Sequence, residues 1–146
     1  MGSEHSDTAQ SLNNMALLYF HQGRYSSAEP LYQRALAIRE KVLGSEHPDT
    51  ASSLNNLGLL CRNQKRYSSA EQLYQRALAI RERALGSSHP DTAISLWCLA
   101  DLYSAQGRYS EARPLFERTL QVFEKALGPD HPDTAQIRRQ LSSLSH

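Results

Sequence analysis

The stretch "EHPDT" at residues 46–50 returns as "SHPDT" at 88–92 and as "DHPDT" at 130–134, each time 42 positions later. A related copy, "EHSDT", lies at residues 4–8. Aligned without gaps, residues 5–46 match 47–88 at 30 of 42 positions, and residues 89–130 match 47–88 at 21 of 42 positions. A fixed period of this length indicates an array of stacked structural repeats.

Each repeat begins with a helical pattern. In the second repeat, Leu54, Leu57, Gly58 and Cys61 follow the spacing i, i+3, i+4, i+7, which marks one apolar face of a helix. The matching positions of the other repeats carry the same pattern. The small residue at position 58 predicts a close approach of a neighbouring helix.

A short turn follows the first helix of each repeat, as "HQGRY", "NQKRY" and "AQGRY". Gly23 and Gly107 suit the positive φ that ends a helix. Lys65 stands at the same place in the middle repeat. The sequence therefore predicts a strained or differently formed turn at Lys65.

A second helical pattern completes each repeat. Ser26 and Glu29 match the Ser-x-x-Glu capping box, and Pro30 is expected in the first turn. Gly44, and the glycines 42 and 84 positions later, end the pattern. The basic residues of these helices alternate with glutamates and are interpreted as a solvated outer face: Arg34, Arg39, Arg76, Arg81 and Arg83.

The recurrent His-Pro-Asp-Thr permits two interpretations, a metal or acid–base site and a helix start. Proline presets φ for the first helical position, the aspartate favours the positive helix end, and histidine or aspartate can cap open N–H groups. Equivalent residues of stacked repeats lie too far apart to share an ion, whose ligands must converge within about 2 Å of one point. The structural interpretation is favoured, and neither a metal site nor a cofactor is predicted.

These patterns predict an all-α fold in a single domain over residues 1–146. Three helix-turn-helix repeats span about 5–46, 47–88 and 89–130, and one capping helix spans about 131–145. Arg138 stands where the repeat expects leucine, but Ile137 can still cover the preceding helix.

The repeats resemble the tetratricopeptide repeat signature. In the first repeat the resemblance rests on Leu12, Met15, Ala16, Tyr19, Gly23, Tyr25, Ala28, Tyr32 and Ala35. The usual unit is about 34 residues. The longer form here, with "YQRALAIRE" and "LG…HPDTA", is similar to the repeats of kinesin light chains and nephrocystin-3-type proteins. The resemblance implies an α-α superhelix, a tetratricopeptide solenoid, whose first helices line a concave groove.

A second face of the first helices carries the candidate site. By the resemblance, asparagines on this face hold the main chain of a bound peptide, and an amide offers both a donor and an acceptor for that purpose. Simple solvation of the helix is the alternative. The predicted groove residues are Asn13, Asn14, Leu17, His21, Asn55, Asn56, Leu59, Arg62, Asn63, Trp97 and Asp101. For Trp97, packing on a neighbouring second helix or on the capping helix is an equal alternative.

The expected function is a non-catalytic scaffold that binds a protein or an extended peptide. No nucleophile–base pair or phosphate loop indicates an enzyme. A net charge of +1 gives no basic surface for nucleic acid or membranes, and a cytoplasmic location is expected. The alternative function is a structural array that self-associates through its repeat ends, where Leu12, Met15 and Tyr19 form the expected exposed face.

Overall fold

A computed structural model describes residues 2–144 of the chain. Seven helices account for most of these residues, and no strand occurs among them. Their bounds are α1 Gly2–His21, α2 Tyr25–Val42, α3 Pro48–Asn63, α4 Tyr67–Leu85, α5 Pro90–Ala105, α6 Tyr109–Ala126 and α7 Pro132–Ser143. The predicted all-α fold, three helix-turn-helix repeats followed by one more helix, is confirmed.

The described residues form two compact units that divide between Ile80 and Arg81, inside α4. Unit 1 contains α1, α2, α3 and the larger part of α4. Unit 2 contains the end of α4 with α5, α6 and α7. The single domain over 1–146 stays a prediction.

Unit 1 is held together by clusters of buried apolar side chains between successive helices. Ala9 and Leu12 of α1 meet Ala35 of α2 in one buried cluster. Leu57 and Leu60 of α3 belong to a second cluster with Ala28 and Tyr32 of α2. Helix α3 thus buries the stripe that the sequence predicts, whereas Met15 of the matching stripe on α1 is 48% exposed. Burial of such a stripe is the main source of stability for helices of this length.

The small residue of the first helix is required by close packing. A Cβ placed on Gly58 would lie 2.6 Å from Cε1 of Tyr74 in α4, and the Tyr74 ring is fully buried. The ring has no room to move aside because protein interiors are close-packed. The close approach predicted from Gly58 is confirmed.

Unit 2 places α6 between α5 and α7. Phe116 and Phe123 of α6 and Ile137 of α7 are buried, as predicted for Ile137. Arg138 lies on the exposed side of α7 and donates to the Glu124 carboxylate. The last helix therefore covers α6 with an apolar residue and turns charge toward solvent.

The His-Pro-Asp-Thr motif starts a helix at all three full copies. Proline is the first residue of α3, α5 and α7. The preceding histidine accepts the N–H of the aspartate through Nδ1, at 3.0 Å for His47 and His89 and 3.1 Å for His131. The structural interpretation of the motif is confirmed. The copy at 4–8 lies within α1, which begins at Gly2.

The threonine of the motif ties α3 and α5 to the turns before them, whereas the buried Thr134 Oγ1 of α7 has no hydrogen-bond partner among the described residues. Thr50 Oγ1 donates to the carbonyl of Gly44 at 2.8 Å, and Thr92 repeats the bond with Gly86 at the same distance. Both glycines have positive φ, 100° and 92°. A buried hydroxyl needs such a partner, since leaving it unpaired costs about 1–3 kcal/mol.

The capping box predicted for α2 is wrong. The helix begins at Tyr25, and its cap position, Arg24, makes no side-chain cap hydrogen bond. Ser26 therefore lies inside the helix, and the Glu29 carboxylate accepts from Gln33 and Arg66 instead. The early start also moves Pro30 beyond the first turn.

The middle turn adopts the same conformation as its glycine counterparts. Lys65 has φ 63°, beside 75° for Gly23 and 76° for Gly107. The N–H of Arg66 donates to the carbonyl of Cys61 at 2.8 Å, which repeats the bond from Arg24 to Tyr19. A lysine thus occupies the left-handed region, where its Cβ costs about 1–2 kcal/mol.

Lys65→Gly should raise the free energy of unfolding by about 1 kcal/mol, because glycine adopts positive φ without the steric cost. Chemical denaturation measures the change. Gly107→Lys is the matched reverse substitution and should lower stability by a similar amount. A stabilising Gly107→Lys, or a destabilising Lys65→Gly, would contradict the assignment of strain to this turn.

Candidate functional site

A cleft of about 260 Å³ opens in unit 1 among α1, α2 and α3. Its walls are formed by Gln10, Asn13, Asn14, Leu17, Arg39, Asp49, Ser52 and Asn56. Four of the predicted groove residues, Asn13, Asn14, Leu17 and Asn56, are therefore brought together. Most of the lining is uncharged and polar, and four of its side chains are amides.

Arg39 of α2 joins the three helices around the cleft. Its side chain is only 7% exposed. Nη1 donates to Ser53 Oγ at 3.0 Å and to the Asp49 carbonyl at 3.3 Å, both in α3. Nη2 donates to Gln10 Oε1 in α1 at 2.9 Å. All three acceptors are neutral oxygens, which satisfy a buried guanidinium without neutralising its charge.

Gln10 carries this hydrogen-bond chain onward to the surface. Its Nε2 donates to Oδ1 of Asn14 at 3.0 Å, one helical turn away on α1. Both side chains are exposed. A continuous series of bonds therefore runs from the buried Arg39 to the exposed amide of Asn14, which lines the cleft.

Asn13 forms a wall of the cleft but is itself buried, at 6% exposure. Its Oδ1 has no hydrogen-bond partner among the described residues. An unsatisfied buried oxygen costs about 1–3 kcal/mol. Asn13, which the sequence predicts as a groove residue, thus lowers stability at the site.

The remaining predicted residues of unit 1 lie on the same helices but outside the cleft lining. Leu59 of α3 is 36% exposed, and Leu17 in the cleft wall on α1 is 44% exposed, so both helices keep apolar surface. His21 and Asn63 are exposed, and Asn55 and Arg62 are half-buried.

Trp97 and Asp101 belong to unit 2, where α7 engages both. Trp97 Nε1 donates to Gln140 Oε1 at 2.8 Å, and its ring meets Phe123 edge-on at 5.7 Å between centroids. Gln140 Nε2 donates to Asp101 Oδ1 at 2.6 Å. These contacts favour the packing alternative for Trp97.

Among the described residues, neither a reactive Cys61 thiol nor a metal site is indicated. Burial raises the pKa of the Cys61 thiol, with Arg66 opposing that shift, so the reactive thiolate is disfavoured. No group of three or more His, Cys, Asp or Glu side chains able to hold a metal ion is found between residues 7 and 144. Over the same part of the chain, no helix has the length and apolar character needed to cross a membrane.

A sequence model of the tetratricopeptide repeat matches residues 7–83, 61–120 and 91–145. The chain belongs to the tetratricopeptide repeat family. The fold of this family is a protein-interaction scaffold, and its members are generally non-catalytic. No curated protein sequence matches the chain.

Solved tetratricopeptide structures share the fold. A putative kinesin light chain from Podospora anserina with nearly identical TPR-like repeats superposes with a TM-score of 0.87 at 28% identity, over 96% of this chain and 66% of that one. BtubC (BKLC) from P. vanneervenii gives 0.83 at 24% identity, over 93% and 54%. The first TPR of Spaghetti bound to an HSP90 peptide gives 0.71 at 19% identity, over 96% and 92%.

The chain spans about two thirds of the Podospora chain and about half of BtubC. The first similarity agrees with the predicted resemblance to kinesin light chain repeats. The two matches below 25% identity show the fold alone.

Two arginines of this tetratricopeptide array were wrongly predicted to lie on the solvated outer face. Arg39 and Arg81 are both 7% exposed. Arg81 Nη1 donates to Ser95 Oγ at 3.0 Å and to the Asp91 carbonyl at 3.1 Å, as Arg39 does one repeat earlier. Burial lowers the pKa of the Arg81 guanidinium, with Asp91 opposing the shift.

A signal for this pairing is present in the sequence. Each buried arginine precedes its serine by 14 residues, at Arg39 and Ser53 and again at Arg81 and Ser95. In the third repeat both positions change together, to phenylalanine and isoleucine, and both stay buried. A charged donor with its acceptor is thus exchanged for two apolar side chains.

Asn13→Leu should leave the free energy of unfolding unchanged or raise it by about 1 kcal/mol, because it replaces an unsatisfied buried oxygen with a side chain of similar volume and better helix propensity. Thermal unfolding with circular dichroism measures the change. A loss of more than about 1 kcal/mol would show that Asn13 makes a stabilising hydrogen bond.

Proposed function

We propose that the chain is a non-catalytic scaffold that holds an extended peptide, or an extended segment of a partner protein, in the unit 1 cleft. Asn14 and Asn56 hydrogen-bond the peptide main chain. The observation that carries this proposal is the shared cleft, in which side-chain amides from α1 and α3 line one opening. An amide matches the N–H and C=O groups of any peptide, whatever its sequence.

The surface around the cleft suits side chains of such a peptide. Leu17 and Leu59 offer partly exposed apolar surface on the two first helices, and apolar surface beside polar groups is typical of recognition sites. His21, Asn55, Arg62 and Asn63 extend this candidate surface in unit 1. In unit 2, Gln140 of α7 binds both Trp97 and Asp101, which would have to give up those contacts to meet a ligand.

The charge around the cleft favours recognition of the main chain over recognition of an ionic side chain. The Arg39 guanidinium lies at the cleft, but the exposed Asp49 also lines it. A strongly acidic ligand would meet both signs of charge. The net charge of +1 likewise argues against nucleic acid or a membrane surface as partner.

The comparisons support a peptide as the ligand class. The Spaghetti domain with the same fold was solved with an HSP90 peptide bound.

We propose a cytoplasmic location for the scaffold, because both cysteines, Cys61 and Cys98, are free thiols.

Replacing both Asn14 and Asn56 with alanine should weaken peptide binding at least about tenfold, since each lost hydrogen bond costs about 1 kcal/mol or more. The ligands are acetylated, amidated peptides selected on a random peptide array, and fluorescence anisotropy measures their affinity. Alanine is the better helix former, so the melting temperature should not fall.

Gln72→Ala, at an exposed position of α4 outside the cleft, is the control and should bind like the wild type. Normal affinity in the double alanine variant would exclude the asparagine pair as the binding element.

A second candidate function, self-association, is favoured by the exposed side of α1. Met15 and Leu18 are 48% and 57% exposed, whereas Leu57 and Leu60, 42 residues later in α3, are 5% and 0% exposed because they pack against α2. Of the face expected from the sequence, Met15 is exposed and Leu12 is buried. We propose a second copy of the chain as the occupant of this face.

Met15→Glu with Leu18→Glu should abolish such association, because two charges cannot be buried unpaired at an interface. Sedimentation across a concentration series should show dimer for the wild type and monomer for the variant. A wild type that remains monomeric at high concentration removes this candidate.

A further inference from the structure

We infer that Asn14 is a directed hydrogen-bond donor, and that the buried Arg39 sets this direction through Gln10. The ligand group opposite Asn14 is then an acceptor oxygen, namely a main-chain carbonyl of the bound peptide. The inference rests on the proposed function and deepens it, because it says which half of the Asn14 amide meets the ligand.

The orientation of these amides is determined first by the hydrogen-bonding chemistry of Arg39. A guanidinium has five N–H donors and no acceptor. Arg39 Nη2 lies 2.9 Å from the side-chain amide of Gln10. The Gln10 group that faces Arg39 must therefore be the oxygen, since the flipped amide would oppose two donors. Burial of Arg39 makes that alternative costly.

Gln10 in turn fixes the orientation of the Asn14 side-chain amide. With Oε1 engaged by Arg39, the NH₂ group of Gln10 is the part that faces Asn14. The atom of Asn14 at 3.0 Å from Gln10 Nε2 must be an acceptor, and it is Oδ1. Asn14 Nδ2, with two N–H donors, is on the opposite side of the same amide.

Asn14 consequently presents donors at the cleft. Its side chain is exposed and lines the cleft, while its oxygen is already held by Gln10. A peptide carbonyl is the acceptor that an extended chain offers at every residue. A carboxylate has the same hydrogen-bonding chemistry, but in the cleft it would meet the carboxylate of Asp49 as well as the Arg39 guanidinium, whereas a neutral carbonyl is not repelled by Asp49.

This relay belongs to the first repeat alone. Gln10 and Asn14 correspond to Ser52 and Asn56 in the second repeat. Ser52 Oγ donates to the carbonyl of Pro48 in its own helix at 3.4 Å. Asn14 and Asn56 therefore have different roles: Asn14 is held as a donor, whereas Asn56 is not held by a glutamine and can present either half of its amide.

Asn14→Asp tests the direction with almost no change of shape. The new carboxylate still accepts from Gln10, but it offers an acceptor to the ligand where the amide offered donors. We expect affinity for an acetylated, amidated array peptide to fall at least about tenfold. Gln22→Glu makes the same change of charge at an exposed position after α1 and should bind like the wild type.

Gln10→Glu tests the relay itself. The new carboxylate accepts from Arg39 but cannot donate to Asn14, so the Asn14 amide can turn its Nδ2 toward residue 10 and its oxygen toward the ligand. We expect unchanged or higher thermal stability together with peptide affinity reduced about threefold to tenfold. Gln10 is a positioning residue, and this separation of stability from affinity is what a purely structural role would not produce.

Side-chain amide NMR tests the direction in the free protein, and therefore independently of any peptide. Nuclear Overhauser contacts should join the Gln10 Nε2 protons to the Asn14 side chain, and the Asn14 Nδ2 protons should shift when peptide is added. Contacts from the Asn14 Nδ2 protons to Gln10 would overturn the inference.

The outcomes separate the two proposals. Full affinity in Asn14→Asp, with loss in Asn14→Ala, would overturn the donor assignment and leave the peptide scaffold intact. Full affinity in the double alanine variant would exclude the asparagine pair as the binding element, while the NMR contacts would still support or refute the relay. A peptide that binds only with a free terminal carboxylate would overturn the carbonyl as the ligand group.

Discussion

The buried guanidinium of Arg39 places the strictest constraint on unit 1. It can only donate, so it requires oxygen atoms on every side, and it finds them in α1 and α3 while belonging to α2. The apolar contacts among these helices are non-directional. The three hydrogen bonds add direction, because they determine which turn of α1 faces which turn of α3. The cleft between those turns, and the amides that line it, follow from that register.

Unit 2 shows that helices of this array stack both with and without a buried arginine. Arg81 repeats the bonds of Arg39 at the start of the unit, on Ser95 and on the Asp91 carbonyl. At the next equivalent position Phe123 is buried, and Ile137 replaces the serine. Stacking of helices is therefore possible with either chemistry, as expected when a buried polar group and an apolar side chain of similar size exchange with their partners. The arginine form adds a charge and a set of directed donors.

Much of the fold could be predicted because its determinants are local. The period of 42, the glycine turns, the strained Lys65 and the helix starts at His-Pro-Asp-Thr all follow from neighbouring residues. The capping box at Ser26 failed because α2 begins at Tyr25, two residues earlier than a box with Ser26 at the N-cap requires. The burial of Arg39 and Arg81 was missed because arginines beside glutamates are typical of solvated faces, and a long side chain can reach a partner that lies far away in the sequence.

The candidate site was predictable in part, because helical spacing is also a local property of the sequence. Helical spacing identified Asn14, Asn56 and Leu17, which the structure brings to one cleft. Spacing alone left two alternatives for Trp97, and the contact with Phe123 and Gln140 depends on a helix outside its own repeat. The direction of the Asn14 amide could not be predicted at all, because it is set by a donor on another helix.

The most direct test of this account is a double-mutant cycle on peptide affinity with Gln10→Ala and Asn14→Ala. If Gln10 acts on the peptide only through Asn14, each single variant weakens binding, and the double variant binds no more weakly than Asn14→Ala alone. Losses that simply add would contradict the account, because Gln10 would then contact the peptide independently and the series of bonds from Arg39 would have no part in recognition.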